Sequence, residues 1–241
     1  MVLEPGALRV WYARPDEVWT SAEASEAATA WLQPAERDRF NRFRHTSDRE
    51  MFLLGRVMAR ALVGRALGVA PTAWRWREGP RGRPEIDAAS CAFSFNIAHS
   101  AGLVVCAVAR EAQVGVDVEH RQRPPLDRAS VARYCSPAEV ADIESQGADG
   151  WHDQFLKYWT LKEAYLKARG LGIAVHLADL SFELAAPGIA LHHLGSLAGS
   201  DTGWAFDLRP VGSHHYLATA MSTQAARSPW VVEPLPLAWI P

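Results

Sequence analysis

Two acidic residues alternate with valines in the stretch Gly115-Val116-Asp117-Val118-Glu119-His120. Side chains two positions apart on a β-strand point to the same face, so Asp117 and Glu119 would lie side by side while the valines face the core. Paired carboxylates repel each other, and a hard cation such as Mg²⁺ relieves that repulsion. The pattern therefore indicates either a metal site or an ordinary strand with one face in solvent.

A third acid, Glu163, lies in a segment with helical spacing over residues 151–169. Glu163 and Lys167 are one turn apart and share a face of this helix. Glu163 could add a third carboxylate to the pair on the strand. Taken alone, Glu163 and Lys167 would be an exposed ion pair of little consequence.

A histidine lies near the end of the segment Phe95-Asn96-Ile97-Ala98-His99-Ser100. Turn residues separate three candidate strands, at residues 92–98, 103–109 and 114–119. The simplest arrangement of these strands is an antiparallel meander, in which the first and third strands run the same way. His99 would then lie at the same end of the sheet as the two acids. By itself, a histidine at a strand end is more often a satisfied surface or core residue than a catalytic one.

An internal repeat runs through the chain. Pro34-Ala35-Glu36 recurs 103 positions later as Pro137-Ala138-Glu139, and the helical stretch 61–69 recurs 104 positions later as 165–173. Two matches at nearly the same offset indicate duplicated halves.

We therefore predict an α+β fold, a pseudo-dimer of two similar halves at residues 1–110 and 111–241. Each half would contain an antiparallel sheet packed against helices, because each reads as a strand, helices and then strands. A cleft between the halves would favour a ligand site. The proline-rich tail after Ser228 is expected on the surface or along a groove.

The composition excludes several classes of protein. With 241 residues, 49% of them hydrophobic, and a formal net charge of −2, the chain can bury a core but lacks the positive charge typical of nucleic-acid binding. Its three cysteines are far apart and predict neither a zinc site nor disulfides. Residues 1–20 show no secretory signal, and the longest apolar run, 103–109, is too short to span a bilayer. We expect a cytoplasmic protein that binds neither nucleic acid nor membranes.

Four motifs follow one another along the chain: Gly82-Arg83-Pro84, FNIAHS at 95–100, GVDVEH at 115–120 and WTLKEAYLK at 159–167. Together they resemble the motif set of the 4′-phosphopantetheinyl transferases, of the longer surfactin-synthetase-activator (Sfp-like) type. The resemblance spans about residues 37–172, and the length, motif order and duplicated halves fit it. The acid strand and the helix motif are specific in combination, whereas the GRP motif by itself is only a turn.

The resemblance implies an enzyme that transfers the 4′-phosphopantetheine group of coenzyme A to a serine of an apo-carrier protein and releases adenosine 3′,5′-bisphosphate. It implies Mg²⁺, or Mn²⁺, as cofactor, with Asp117, Glu119 and Glu163 as the metal ligands. The partner would be a carrier protein or carrier domain of a fatty-acid, polyketide or non-ribosomal peptide synthase, and the sequence does not choose among them. A pseudo-dimer of this kind is expected to act as a monomer.

The resemblance also implies the residues that bind coenzyme A: Arg83, Pro84, His99, Ser100, Lys162 and Lys167. Lys167 and His99 would contact phosphates, whereas Arg83 and Pro84 would line the nucleotide pocket. Glu163, Lys167 and His99 form the implied catalytic set. Either Glu163 or a metal-bound water would take the proton of the serine.

Two positions depart from the family pattern. Ala98 replaces the serine that precedes the histidine, which would remove a hydrogen bond to the ligand of about 1.5–3 kcal/mol and weaken coenzyme A binding. Related sequences place an arginine near Met51 to hold the 3′-phosphate. Here Arg49 and Arg56 both flank that position, and the sequence does not select one.

Two other functions are compatible with single motifs. A binding module of the same fold would hold a nucleotide or carrier domain without catalysis, but a binder does not need three acids together with Lys167. A Mg²⁺-dependent phosphohydrolase would also use paired acids, but the sequence shows neither a second acid cluster nor an obvious phosphate nucleophile.

Overall fold

The computed structural model describes residues 2–79, 83–88, 91–171, 175–185, 188–195, 203–222 and 230–241. Its strands are β1 (Leu8–Ala13), β2 (Trp76–Glu78), β3 (Pro84–Ile86), β4 (Phe93–Ser100), β5 (Leu103–Arg110), β6 (Val114–His120), β7 (Leu180–Ala185), β8 (Gly188–His193), β9 (Trp204–Val211), β10 (His215–Ser222) and β11 (Val231–Pro234). Its α-helices are α1 (Pro15–Val18), α2 (Ala22–Ala28), α3 (Pro34–Arg42), α4 (Thr46–Leu67), α5 (Arg128–Tyr134), α6 (Pro137–Ser145) and α7 (Gly147–Arg169). Within these ranges, no helix combines the length and the apolar character needed to cross a membrane.

Two sheets pack face to face, and each has a long helix on its outer side. The first sheet has the strand order β11-β1-β5-β4 and the second the order β6-β10-β9, so β1-β5-β4 and β6-β10-β9 are equivalent antiparallel units. Alternate side chains of β5 divide between two layers. Val105 and Ala107 pack against the second sheet, whereas Val104 and Cys106 pack against α4. This arrangement confirms the predicted α+β pseudo-dimer.

The strand that carries the two acids begins the second half. β6 pairs with β10 and not with β5, so the predicted meander of three consecutive strands is wrong. β4 and β6 still lie side by side and run the same way. The N–H of Val116 donates to Asn96 Oδ1 at 2.9 Å, and the N–H of His120 donates to Ser100 Oγ at 3.2 Å. The ends of β4 and β6 therefore meet as expected, through side chains in place of a backbone ladder.

The C-terminal tail returns to the first half, where β11 pairs in parallel with β1. Beyond β11, Trp239 packs on Trp11 with ring centroids 6.1 Å apart. The guanidinium of Arg65 lies over Trp239, 4.6 Å from the ring centroid. The prediction that all of residues 111–241 belong to the second half is therefore wrong for this tail.

The strand pair β1–β5 of the first sheet and the strand pair β6–β10 of the second have equivalent registers. Trp11 on β1 pairs with Cys106, the fourth residue of β5, and Asp117 on β6 pairs with Ala218, the fourth residue of β10. Trp11 thus stands in the first half where Asp117 stands in the second. The first half carries an aromatic residue at this position, and the acids belong to the second half alone.

Each half contains a buried ion pair that joins a short helix to the long one. Arg60 Nη2 on α4 donates to Glu36 Oε2 on α3 at 2.9 Å, and Lys162 Nζ on α7 donates to Glu139 Oε2 on α6 at 2.6 Å. Both glutamates also accept a hydrogen bond from the backbone N–H at the start of their own helix. The recurrent Pro-Ala-Glu sequence therefore marks equivalent structures.

The long helices end at equivalent glycines. Gly68 and Gly170 cap α4 and α7 with left-handed φ values of 73° and 61°, a conformation that glycine adopts without a steric penalty. These caps are 102 positions apart. The predicted match of 61–69 with 165–173 is therefore wrong by two positions, and Gly172, its expected counterpart of Gly68, lies outside the described residues.

Lys162 has a structural place in this scheme. Its side chain is 1% exposed, and its ammonium donates to the carbonyl of Tyr134 (2.7 Å), to Glu139 Oε2 (2.6 Å) and to the carbonyl of Leu177 (2.9 Å). All three N–H donors are used inside the second half. No donor of Lys162 therefore remains for the contact with coenzyme A that the resemblance implied.

We expect Lys162→Met to lower the free energy of unfolding by about 3–5 kcal/mol, because Glu139 would remain as an uncompensated buried charge. Urea denaturation followed by circular dichroism measures this change. Arg77→Ala is the control, since Arg77 pairs with Glu85 on the surface and should contribute less than about 1 kcal/mol. Equal midpoints for the two variants would contradict a structural role for Lys162.

Candidate active site

The site is built where α7 lies directly against β6. A Cβ added at Gly115 would overlap the backbone of Ala164 and Ala168 on the helix. Because glycine has no side chain, the helix can approach the strand closely enough for Glu163 and Lys167 to reach the acids of β6. Gly115 of the acid-strand motif therefore sets the spacing of the site.

Asp117 faces the helix and is 6% exposed. Its Oδ1 accepts a hydrogen bond from Lys167 Nζ at 2.6 Å. Its Oδ2 is buried and has no hydrogen-bond partner among the described residues. Lys167 thus bonds across the helix–strand contact, so the alternative of a plain surface pair between Lys167 and Glu163 does not describe this structure.

Glu119 is held by an aromatic residue and a cation. Its Oε1 accepts hydrogen bonds from Trp159 Nε1 at 2.9 Å and from Arg123 Nη1 at 2.5 Å. Arg123 also lies over the ring of Trp159, 5.6 Å from the centroid. Glu119 Oε2 is 3.4 Å from Ser100 Oγ, at the end of β4. The first half therefore contacts the acid cluster through Ser100.

Asp117 is buried, and the carboxyls of Glu119 and Glu163 near it are half-buried. Burial is the largest influence on each of them and raises the pKa of Asp117, Glu119 and Glu163. The charge of Asp117 further raises the pKa of the other two, whereas Lys167 lowers the pKa of all three. Each of these carboxyls is therefore harder to ionise in the folded protein than in the unfolded chain, and a nearby positive charge would favour its ionised form.

The donor set fits a hard divalent cation. Three carboxylates offer oxygen ligands, and the unpartnered Oδ2 of Asp117 is a buried acceptor without a donor. In the part of the chain that the structure describes, no group of three His, Cys, Asp or Glu side chains already surrounds a common metal position. Lys167 and Arg123 neutralise two of the acids instead. Binding a cation would require small rotations of these side chains.

His99 lies at the end of β4 beside a small cavity. The His99 side chain is exposed on one side, but desolvation by the surrounding residues and then the charge of Lys167 lower its pKa below the usual value, which favours the neutral imidazole. The cavity has a volume of about 180 Å³ and is lined by Arg39, Met51, Phe52, Gly55, Arg56, Pro84, Asn96, Ile97 and His99. The structure therefore brings His99 and Pro84 together, as the sequence indicates.

The cavity is positively charged. Arg56 Nε is 3.4 Å from Glu36, but Arg60 pairs with the same glutamate, so one carboxylate faces two guanidinium groups. Arg39 lies on the same wall, over the ring of Phe52 at 5.3 Å. Of the two arginines that flank Met51 in the sequence, Arg56 lines this cavity, whereas Arg49 lines another and lies over the ring of Phe40.

Sequence reasoning missed Arg39, Arg123 and Gly115. Arg39 is on α3, outside every motif, and reaches the cavity only because α3 packs on α4. Arg123 lies in a turn after β6 and is one of many arginines in the chain. Gly115 was visible as part of the acid strand, but its role depends on the packing of the helix.

Arg83 and Ala98, two positions with expected roles in ligand binding, do not line the His99 cavity. Arg83 lines a separate cavity of about 420 Å³ together with Pro84 and the end of α7. The guanidinium of Arg83 donates to the carbonyls of Lys167 (2.8 Å), Ala168 and Val114 (3.0 Å), so it is directed to the second half and away from the His99 cavity. Ala98 is 5% exposed and packs in the apolar layer between the sheets. A hydroxyl at this position would face that layer, and the expected effect of Ala98 on coenzyme A binding stays a prediction. Gly82 lies outside the described residues.

Comparisons with known proteins cover both halves. Residues 113–220 match the family described as the 4′-phosphopantetheinyl transferase superfamily, and residues 17–111 match the family described as 4′-phosphopantetheinyl transferase, N-terminal. A phosphopantetheinyl transferase of Thraustochytrium is 33% identical over 92% of this chain and 81% of its own length.

Bacterial relatives match over shorter stretches. The 4′-phosphopantetheinyl transferase HetI of Nostoc is 38% identical over 60% of this chain and 62% of its own length. The transferase Sfp of Bacillus subtilis is 29% identical over 68% of this chain and 71% of its own. The solved holo-[acyl-carrier-protein] synthase of Neisseria meningitidis aligns with 46% of this chain and 96% of its own, with 19% identity and a TM-score of 0.40.

The raised pKa values of the three carboxyls predict a pH dependence of stability. The folded protein holds their protons more tightly than the unfolded chain, so without divalent cations the acids should destabilise the fold as the pH rises from about 4 through the raised values. Glu163→Gln removes one of the like charges. It should therefore raise the melting temperature at pH 7 in chelator, by about 2–4 °C for each kcal/mol of repulsion relieved.

Calorimetry of both proteins between pH 4 and 8 measures this difference. Glu144→Gln, on the exposed face of α6, is the matched control and should not alter the curve. A lower melting temperature for Glu163→Gln in chelator would show that the ionised acid stabilises the fold, which the cluster does not predict.

Proposed function

The chain belongs to the 4′-phosphopantetheinyl transferase superfamily and transfers phosphopantetheine from coenzyme A to carrier proteins, and we propose that it does so with Mg²⁺ or Mn²⁺ held by Asp117, Glu119 and Glu163. The observation that carries this proposal is the buried, unpartnered oxygen of Asp117, near which the half-buried carboxyls of Glu119 and Glu163 feel its charge. When bound, the cation would offset charge on the pyrophosphate of coenzyme A.

The chain's own cations complete the phosphate site in this proposal. Lys167 lies next to the acids and close enough to His99 to lower its pKa, so its ammonium can contact a phosphate oxygen between them. Neutral His99 can donate one hydrogen bond from its ring to the same group. Ser100 holds the end of Glu119 and the backbone of His120, and positions this edge of the site.

The small cavity beside His99 would bind the 3′-phosphate. Two guanidinium groups, Arg39 and Arg56, face a space of about 180 Å³, large enough for a phosphate group. Glu36 pairs with both Arg56 and Arg60, so its single negative charge does not neutralise both guanidinium groups, and the cavity keeps excess positive charge. Charged hydrogen bonds of this kind are stronger than neutral ones.

Glu163 is the residue to which we assign proton removal. Its carboxylate lies on the face of α7 that meets the acids of β6, and an oxygen that does not bind the cation could accept the proton. The serine oxygen of the carrier would attack the β-phosphorus as its proton passes to Glu163. The bond from that phosphorus to the bridging oxygen then breaks, and adenosine 3′,5′-bisphosphate leaves.

The resemblance implies three classes of carrier protein, and experiment must identify which of them this transferase prefers. The transferase should act as a monomer, since the two halves of one chain supply both the acid cluster and the His99 cavity. Assays with several purified apo-carriers, from fatty-acid, polyketide and peptide synthases, would identify the preferred class.

With coenzyme A and Mg²⁺, an apo-carrier should gain the mass of one phosphopantetheine group, and excess chelator should prevent this gain. Glu163→Gln should lower kcat on the order of 10²-fold or more, because the base and a charged ligand are lost together. Additional metal should restore part of this activity. Lys167→Ala should chiefly raise the KM for coenzyme A.

Mass spectrometry of the carrier and titration with Mg²⁺ distinguish these effects, with Glu144→Gln as the control. Full transfer in excess chelator would remove the metal from the mechanism. Superimposable Mg²⁺ titrations for wild type and Glu163→Gln would defeat the assignment of Glu163 as a ligand.

Arg39→Gln should raise the KM for coenzyme A about tenfold or more, because it removes a charged hydrogen bond to the 3′-phosphate. Arg56→Gln should act in the same direction. With 3′-dephospho-coenzyme A as substrate, neither variant should differ much from wild type. Arg49→Gln is the control, since Arg49 lines another cavity. An equal loss with both substrates would show that these arginines do not bind the 3′-phosphate.

A further inference from the structure

Arginines and aromatic rings alternate along one side of the His99 cavity. This arginine–aromatic series consists of Arg39, Phe52, Arg56, Trp76, Arg60 and Trp74. Neighbours in the series are 4.7 to 5.7 Å apart, measured from guanidinium carbon to ring centroid. Phe52, Arg56 and Arg60 follow one another at intervals of four residues, so they share one face of α4. A cation over the face of an aromatic ring is attracted by the negative charge of that face.

The inner end of the series is fixed by hydrogen bonds. Arg60 is 1% exposed, and its guanidinium donates to Glu36 at 2.9 Å and to the carbonyl of Trp74 at 3.3 Å. The indole N–H of Trp74 donates in return to the carbonyl of Arg60 at 3.2 Å. Trp76 lies 4.7 Å from the guanidinium of Arg60, and its ring centroid is 5.4 Å from that of Trp74. The position of the Trp76 ring is therefore set from the interior of the protein.

At the outer end, aromatic rings hold guanidinium groups whose donors stay available. Arg56 contacts both Phe52 and Trp76, and its buried Nε has no hydrogen-bond partner among the described residues. Its ion pair with Glu36, at 3.4 Å, lacks the geometry of a hydrogen bond. Arg39 is exposed and lies over the ring of Phe52. The rings thus restrain both arginines without using the N–H groups that an anion would need.

Phe52 is the ring that both cavity arginines share. It is 7% exposed and lies 5.3 Å from the guanidinium of Arg39 and 4.9 Å from that of Arg56. Two like charges beside one cavity repel each other, and the face of the ring offsets part of that repulsion. A flexible arginine also loses side-chain freedom when it binds a ligand. A ring that orders the guanidinium before the ligand arrives reduces that loss.

We propose that Phe52 and Trp76 are positioning residues that determine specificity for coenzyme A over 3′-dephospho-coenzyme A. Their rings orient Arg39 and Arg56 toward the 3′-phosphate and have no part in binding it directly. The inference rests on the proposed binding of the 3′-phosphate in the His99 cavity. Loss of either ring should therefore weaken only those ligands that carry this phosphate, whereas a purely structural role would weaken all nucleotide ligands alike.

Titration calorimetry with adenosine 3′,5′-bisphosphate and adenosine 5′-monophosphate tests this role without catalysis or added metal. Phe52→Leu and Trp76→Leu should each reduce the preference for the bisphosphate, the ratio of the two Kd values, about 3- to 10-fold, as expected for lost cation–π contacts. Trp76→Phe keeps a ring and should stay within about twofold of wild type. Phe182→Leu is the matched control, because it removes a buried ring that packs on Phe206 in the second half.

A double-mutant cycle tests whether the rings act through the arginines. In a variant that carries both Arg39→Gln and Arg56→Gln, Phe52→Leu should change the preference by less than about twofold. With coenzyme A as substrate, Phe52→Leu alone should raise KM and leave kcat within about twofold of wild type. If Phe52→Leu does not fold, the two variants of Trp76 decide alone.

Different results would overturn the inference and the 3′-phosphate site on which it rests. If the arginine variants lose the preference while Phe52→Leu and Trp76→Leu keep it, the inference alone is wrong. If the wild-type protein binds both nucleotides equally well, the 3′-phosphate site is wrong, and the inference fails with it. Equal weakening of both nucleotides by Phe52→Leu, or no rescue by Trp76→Phe, would also overturn the proposal.

Discussion

The backbone of α7 rests on β6 at Gly115, and this contact leaves no room for a side chain. The spacing it imposes decides which groups can meet. Lys167 reaches Asp117 across the contact, and Glu163, one turn earlier on the same helix face, joins the acids of the strand. A helix held farther away by even one methyl group would separate its charged residues from those of the strand. Backbone contact is therefore the constraint on which the chemistry of the molecule depends.

Close packing also explains why two similar lysines of α7 behave differently. Lys162 is enclosed by three acceptors and serves the fold, because every donor of its ammonium is used. Lys167 bonds to Asp117 but remains partly exposed, at 31% of its side chain, beside an acid cluster that its single charge does not balance. A buried ammonium whose donors are all used stabilises the fold, whereas a partly exposed ammonium beside unbalanced charge is available to a ligand.

The sequence was informative where a local pattern determines the outcome. Alternation of acids and valines indicated which side chains of β6 point together, and the repeated Pro-Ala-Glu segments indicated two similar halves. The pairing of β6 with β10, the return of the tail to β1 and the position of Arg39 were not predictable, because each depends on contacts between distant parts of the chain. The burial of Lys162 was not predictable, because a motif shows which residues occur together but not which way each side chain points.

The first half has the same arrangement of strands and long helix, but other side chains occupy the position of the acid cluster. Trp11 stands at the position of Asp117, and the tail places Trp239 between Trp11 and Arg65, so two tilted aromatic rings and a cation fill the place of the acid cluster. One chain thus contains two versions of one architecture, with aromatic residues at this position in the first half and acids in the second. The free energy of local opening can be measured for each half in the same sample. The difference between the halves then reports how much stability the acid cluster costs the second half.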